Sequence, residues 1–281
     1  MNQKPVTRRP VLGGAVYILP NLLTSGNLFF GYFSIVKSML GDFTWAAGAI
    51  FLAAIFDVLD GRVARMTNGT SEFGVQYDSL CDLVSFGLAP AIMMFQYSLN
   101  SLGRLGWIIC FIFLACGALR LARFNVQSAI GQSGGDFTGL PIPMAAGVIA
   151  GFMGLMADVD AHDDPGIWLI EQIYHVFAFD AFRQWFLAAT ALALAFLMVS
   201  NVPYRSHKSV KIRGGQAFRL LALLVAGFGL VAYKPPLMGF LFLFLYALSG
   251  PVDQLMGWKK PTENEDIFGS DSDNEDGFSS C

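Results

Sequence analysis

Long apolar runs separated by short polar segments organise this chain. Eight stand out, at residues 20–40, 43–64, 75–98, 105–121, 141–158, 182–201, 216–233 and 236–252. Each is close to the ~20 residues with which a helix crosses ~30 Å of hydrocarbon. The pattern predicts an all-α fold, a polytopic membrane helix bundle of about eight transmembrane helices. Lys234-Pro235-Pro236 divides the last two runs, which read as a C-terminal hairpin added to a six-helix core.

Composition agrees with the pattern. The chain of 281 residues is 54% hydrophobic and 14% charged, with a mean hydropathy of +0.53, whereas a soluble domain carries about 25% charge. A net charge of −3 conceals segregation. Residues 256–281 are acidic and rich in Ser, Asn and Gly, as expected of a disordered cytoplasmic tail. No nucleic-acid partner is expected. Cys81, Cys110, Cys116 and Cys281 show no zinc-like pairing, and the first three read as small buried residues. The basic N-terminal segment lacks a clear cleavage site and reads as a retained cytoplasmic end.

Basic residues set the expected orientation. With the N-terminus inside, fourteen of the 18 Lys and Arg residues fall on the cytoplasmic side, as the positive-inside rule requires. Lys37, Arg104, Arg183 and Lys234 fall near the other face, where the 158–171 loop with His162, Asp163 and Asp164 reads as exposed and polar. The expected organisation is a cytoplasmic segment 1–18, a membrane domain 19–213, the added hairpin 214–255 and the tail 256–281.

Against this background, residues 57–82, DVLDGRVARMTNGTSEFGVQYDSLCD, place four carboxylates at the cytoplasmic ends of spans two and three. At ~1.5 Å per residue, Asp57 lies ~20 Å along a helix that begins near Phe43. A carboxylate at that depth needs a cavity and a partner. Asp57 and Asp60 share one helix face, Asp78 and Asp82 share another, and the two antiparallel helices can pool them. Four anions in a low-dielectric pocket need compensating cations. Two divalent ions balance them, and hard oxygen ligands select Mg²⁺ or Mn²⁺. Gly61, Ala64 and Gly74 keep the helix surfaces low, which suits a phosphate-bearing ligand. A dimetal site of this kind fits work on a phosphorylated lipid.

The spacing Asp57-x2-Asp60-Gly61-x2-Ala64-Arg65-x8-Gly74-x3-Asp78-x3-Asp82 resembles the signature of the CDP-alcohol phosphatidyltransferase family at every fixed position. The resemblance implies displacement of CMP from a CDP-linked lipid by an alcohol, with divalent metal. It makes Asp57, Asp60 and Asp78 metal ligands and Asp82 the general base, with Asp82 also in reach of a metal. Gly61, Ala64, Arg65 and Gly74 would then lie along the CDP-lipid, with Arg65 near the departing CMP. Further stretches are similar to the phosphatidylserine synthase branch: LPNLLTSGNLFFGYFSI at 19–35, SFGLAPA at 85–91, ALRLARFN at 118–125, GLPIPMAA at 139–146 and MVSNVPYRSHK at 198–208. That branch implies CDP-diacylglycerol and L-serine as substrates, membrane lipids as surroundings and a homodimer.

Each stretch also has a physical reading. Asn21, Thr24 and Asn27 can reach the cytidine or phosphate, or Asn21 and Thr24 can cap a helix that starts after Pro20. Gly87 and Pro90 can kink span three. Arg120 and Arg123 end span four, and with Asn125 they are candidates for binding the serine carboxylate or a phosphate. The segment from Val126 to Thr138 reads as a loop. Two alternatives stand beside the serine reading: the same transfer to glycerol 3-phosphate or inositol phosphate, and a divalent-cation transporter. The expected location is a bacterial inner or plasma membrane, with the site facing the cytoplasm.

Overall fold

The computed structural model describes residues 13–67, 71–129, 139–160, 179–202 and 235–255. They form α1 Gly13–Met39, α2 Phe43–Met66, α3 Glu72–Tyr97, α4 Arg104–Ala129, α5 Ile142–Asp160, α6 Asp180–Val199 and α7 Pro235–Leu255. No strand occurs among the described residues. Seven of the eight expected spans are therefore helices. The run 216–233, the loop around His162, the N-terminal residues 1–12 and the acidic tail lie outside the described residues.

Five helices, α2, α3, α4, α6 and α7, are long and apolar enough to cross a membrane. The chain is a polytopic membrane helix bundle. α1 is longer still, but Asn21, Thr24, Ser25 and Asn27 interrupt its apolar character. α5 is the centre of the bundle, and its apolar stretch Ile142–Ala157 is shorter. Ala145, Ala146, Val148, Ile149, Phe152 and Met153 are all buried, so α5 is covered on every side. α2 and α7 pack along it, α1 packs on α2 and α3, and α4 packs on α6. α7 runs antiparallel to α5, because Gly147 faces Leu243 while Gly151 faces the backbone of Phe240. Outward-facing side chains such as Phe29, Tyr32, Ile55, Phe111, Phe196 and Phe242 stay exposed, as suits a surface bathed in lipid.

Local chemistry places the helix starts. Asp42 caps α2 by accepting from the Trp45 amide, and Ser71 caps α3 by accepting from the Gly74 amide at 2.9 Å. Two expectations are corrected. α1 does not begin after Pro20 but passes through it, so Asn21 and Thr24 are interior residues and not caps. α4 does not stop at residue 121 but continues to Ala129, because LARFNVQSA contains no glycine or proline to end it. Arg120, Arg123 and Asn125 therefore stand on a rigid helix, and Val126–Ala129 are helix and not loop.

α3 is not uniform. Its first part, Glu72–Asp82, is α-helical; Leu83–Leu88 widens into a π-helical turn; Ala89–Tyr97 is α-helical again. The turn comes directly after Asp82 and before Pro90, whose missing N–H removes one donor from a regular ladder.

At the end of the bundle far from the aspartates, the polar groups are matched. Asp160 of α5 binds Arg183 of α6 at 2.6 Å and accepts from the Tyr97 hydroxyl of α3 at 3.0 Å. Arg183 also pairs with Asp180 and lies 5.4 Å from the centre of the Tyr97 ring. Gln184 donates to Ser101, and Lys37 binds Asp42 at 3.0 Å.

Candidate active site

α2 and α3 carry the four aspartates to one place. Ligand oxygens of Asp57, Asp60 and Asp78 all lie within 4.8 Å of one another. Asp60 is 4% exposed and Asp82 8%. Asp82 stands beside this group, with its carboxyl against that of Asp57. At such separations, two like charges repel by about 3 kcal/mol even at an effective dielectric constant near 20. Among the described residues, no lysine or arginine forms an ion pair with any of the four. Asp78 Oδ1 is buried and has no hydrogen-bond partner. Closely spaced hard oxygens, no imidazole or thiolate among them, and one orphaned oxygen fit a hard divalent cation such as Mg²⁺ or Mn²⁺.

α1 supplies polar partners to this cluster. Thr24 and Asn27 are three residues apart and share a face. Thr24 Oγ1 donates to Asp60 Oδ2 at 2.7 Å, and Asn27 Nδ2 donates to Asp82 Oδ1 at 2.9 Å. Each aspartate pair thus has one member gripped by α1. Ser25 meets the Tyr77 hydroxyl at 2.9 Å, which fixes α1 against the start of α3. Asn21 lies beside Gly74: a Cβ added there would sit 3.4 Å from Asn21 Oδ1. Low surface is also present at Gly61, whose added Cβ would meet nothing within 4 Å. Ala64 is half-buried and Arg65 exposed at the same end.

The three candidates on α4 do different things. Arg120 is half-buried, with its Nε buried and unpartnered, and its charge lies in electrostatic reach of Asp82 and of Tyr246 on α7. Arg123 instead reaches the end of α6, donating to Asn201 Oδ1 at 2.7 Å and to the Val199 carbonyl at 3.4 Å. Asn125 donates to Ser79 Oγ at 3.0 Å and so joins α4 to α3. Gly139 and Leu140 complete this join, with amides donating to the Val202 and Leu197 carbonyls at 2.9 and 3.0 Å. Gly139 has φ +80°, and a Cβ there would lie 2.6 Å from the Met198 carbonyl oxygen. Three stretches distant in sequence (118–125, 139–146 and 198–202) thus meet in one knot, which holds α4 with Arg120 facing the aspartates.

For Asn27 the structure adds a partner to those the sequence suggested, and Tyr246 escaped the reading of the sequence alone. Asn27 is a partner of Asp82 and fully buried, a role that its spacing from Thr24 on one helix face signals. Tyr246 is brought to Arg120 by the C-terminal helix, for which no motif gave warning.

Known proteins resemble this chain in sequence. The family described as CDP-alcohol phosphatidyltransferase matches residues 17–194, which span α1 to most of α6. A CDP-diacylglycerol–serine O-phosphatidyltransferase of Helicobacter pylori is 34% identical over 235 residues, covering 84% of this chain and 90% of its own length. The Mycobacterium tuberculosis protein of the same name is 29% identical over 247 residues, covering 86% and 79%. An archaetidylserine synthase of Methanothermobacter thermautotrophicus is 40% identical over 154 residues, covering 54% and 61%. With the family match extending over well more than half of the chain, and the aspartates it is known by gathered at one end of the bundle, the chain belongs to the CDP-alcohol phosphatidyltransferase family.

Proposed function

We propose that this chain is a phosphatidylserine synthase, which transfers the phosphatidyl group of CDP-diacylglycerol to the hydroxyl of L-serine and releases CMP. The observation that carries the reading is the convergence of Asp57, Asp60 and Asp78 with Asp82 alongside. The names of the relatives favour serine over glycerol 3-phosphate or inositol phosphate as acceptor. Two divalent ions, Mg²⁺ or Mn²⁺, held by Asp57, Asp60 and Asp78, and in reach of Asp82, would neutralise the diphosphate and the departing CMP.

The chain's own residues do the rest. Asp82 takes the proton from the serine hydroxyl while that oxygen bonds to the lipid-side phosphorus. The bond from that phosphorus to the bridging oxygen breaks, and CMP departs with the electron pair. Arg120 faces the same pocket and offers a planar fork to the serine carboxylate or to a phosphate. Asn21, Thr24, Gly61, Ala64, Arg65 and Gly74 border the CDP-lipid, with Thr24 acting through Asp60. Arg123 and Asn125 act at one remove, by holding α4. A site built around a carboxylate leaves a buried cation unpaired when the wrong alcohol enters, which discriminates strongly.

The aspartate end faces the cytoplasm of a bacterial inner membrane in this reading, and the chain works as a homodimer. Residues 19–213 form the catalytic membrane domain, 214–255 an added hairpin and 256–281 a tail. The test is to supply the purified chain with CDP-diacylglycerol and each alcohol in turn, with and without chelator, and to measure CMP. Release that requires both serine and metal supports the reading. Release with glycerol 3-phosphate or inositol phosphate in place of serine refutes the acceptor. Metal flux without CMP release would make the chain a transporter.

A further inference from the structure

We propose that Asn27 is a positioning residue for Asp82: through one amide hydrogen bond it aims the carboxylate at the acceptor hydroxyl. The proposal rests on the reading of Asp82 as the general base. Asn27 is completely buried, and its Nδ2 donates to Asp82 Oδ1 at 2.9 Å. Its backbone is held as well, because Ser85 Oγ donates to the Asn27 carbonyl at 3.0 Å. Ser85 belongs to the π-helical turn that follows Asp82. The contact between the helices is close there: a Cβ on Gly31 would lie 2.2 Å from Ser85 Oγ and 2.7 Å from Ser85 Cα. α1 and the turn carrying Asp82 are thus locked together, with Asn27 at the junction.

The chemistry of the grip is selective. One carboxylate oxygen is occupied by the amide, which restricts rotation of the group and leaves the other oxygen for proton transfer. The donor is neutral, so it orients Asp82 without cancelling its charge. Asn27 Oδ1 is buried with no partner. Leaving a buried acceptor unmade is unfavourable, so packing alone would favour an apolar residue here, such as leucine. An amide at this position is explained by what it does for Asp82.

A double-mutant cycle tests the proposal on the full chain in detergent–lipid micelles, with Mg²⁺, CDP-diacylglycerol and serine. Asn27→Leu keeps the number and branching of the side-chain heavy atoms and removes the donor; Asn27→Ser is the smaller second variant, used if the leucine protein does not fold. Turnover is measured as CMP release per folded protein, with folding judged by gel filtration and thermal unfolding. Loss of orientation lowers kcat about tenfold to a hundredfold, while KM for both substrates changes by less than about twofold. In the Asp82→Asn background the same substitution changes kcat by less than about twofold, because the group it serves is already gone. Equal losses in both backgrounds would show a role in packing alone and overturn the proposal. Wild-type turnover in Asp82→Asn would instead overturn the reading of Asp82 as the base.

Discussion

The two ends of the bundle treat charge in opposite ways. At the far end, Asp160 and Asp180 meet Arg183, and Tyr97 completes the group. At the near end, four aspartates gather, and among the described residues no cationic side chain is bound to any of them, while buried atoms of Asp78, Asn27 and Arg120 have no hydrogen-bond partner there. The first arrangement is complete within the chain and can only fasten helices. The second is incomplete, and folding alone would select against it, since removing one partner from buried charge is strongly unfavourable. Internal balance marks a fastening, and imbalance marks a place prepared for something from outside.

That contrast can be broken experimentally, with the largest effects at the unbalanced end. Replacing Asp57 or Asp78 with Asn should lower CMP release by ~10³-fold or more, as loss of a group that stabilises transition-state charge does, and chelation of the wild type should match it. Asp82→Asn should lower turnover by ~10²–10⁴-fold while CDP-diacylglycerol binding, followed by equilibrium retention of labelled lipid, persists. Arg120→Gln should raise KM for serine by ~10–100-fold, the value of a hydrogen bond to a charged group. Arg123→Gln should instead lower the thermal midpoint and leave that KM in place; a rise in KM as large as that of Arg120→Gln would merge the two roles.

The balanced end should respond weakly. Arg183→Met should cost about 1 kcal/mol or less, read as a lower unfolding midpoint in detergent with unchanged turnover per folded molecule. The smallest effect belongs to Lys37 and Asp42. The Lys37 hydrogen bond holds the Asp42 carboxyl below its ordinary range. A depressed folded-state pKa stabilises above the unfolded value of ~3.9 and is lost as pH falls through the folded one. The difference in midpoint between wild type and Lys37→Met should therefore be present at neutral pH and vanish in strong acid.

The sequence exposed the unbalanced end well because its signal is local. Asp57 with Asp60, and Asp78 with Asp82, are spaced by helix geometry, and apolar runs flank them, so both the helices and their meeting could be inferred. The assignments of Arg120 and Arg123 could not be separated, because the difference between them lies in α6 and α7, far away in the chain. Helix ends failed where the usual punctuation misled: Pro20 stands inside α1, and α4 lacks a stop signal where its apolar run ends. The far-end fastening was invisible for a similar reason, since Tyr97, Asp160 and Arg183 are scattered over some ninety positions.

The π-helical turn in α3 has a consequence for how this helix tolerates change. A wide turn accommodates one residue more than a regular one, so it absorbs the rotation that an extra residue would otherwise impose on whatever follows. The Glu72–Asp82 portion can therefore face Asp57, Asp60 and Asn27 while Ala89–Tyr97 faces the apolar interior. Deleting a single residue between Leu83 and Leu88 should close the turn into regular helix and leave both portions facing as they do, whereas a single insertion in either α-helical part would turn them against each other by ~100°.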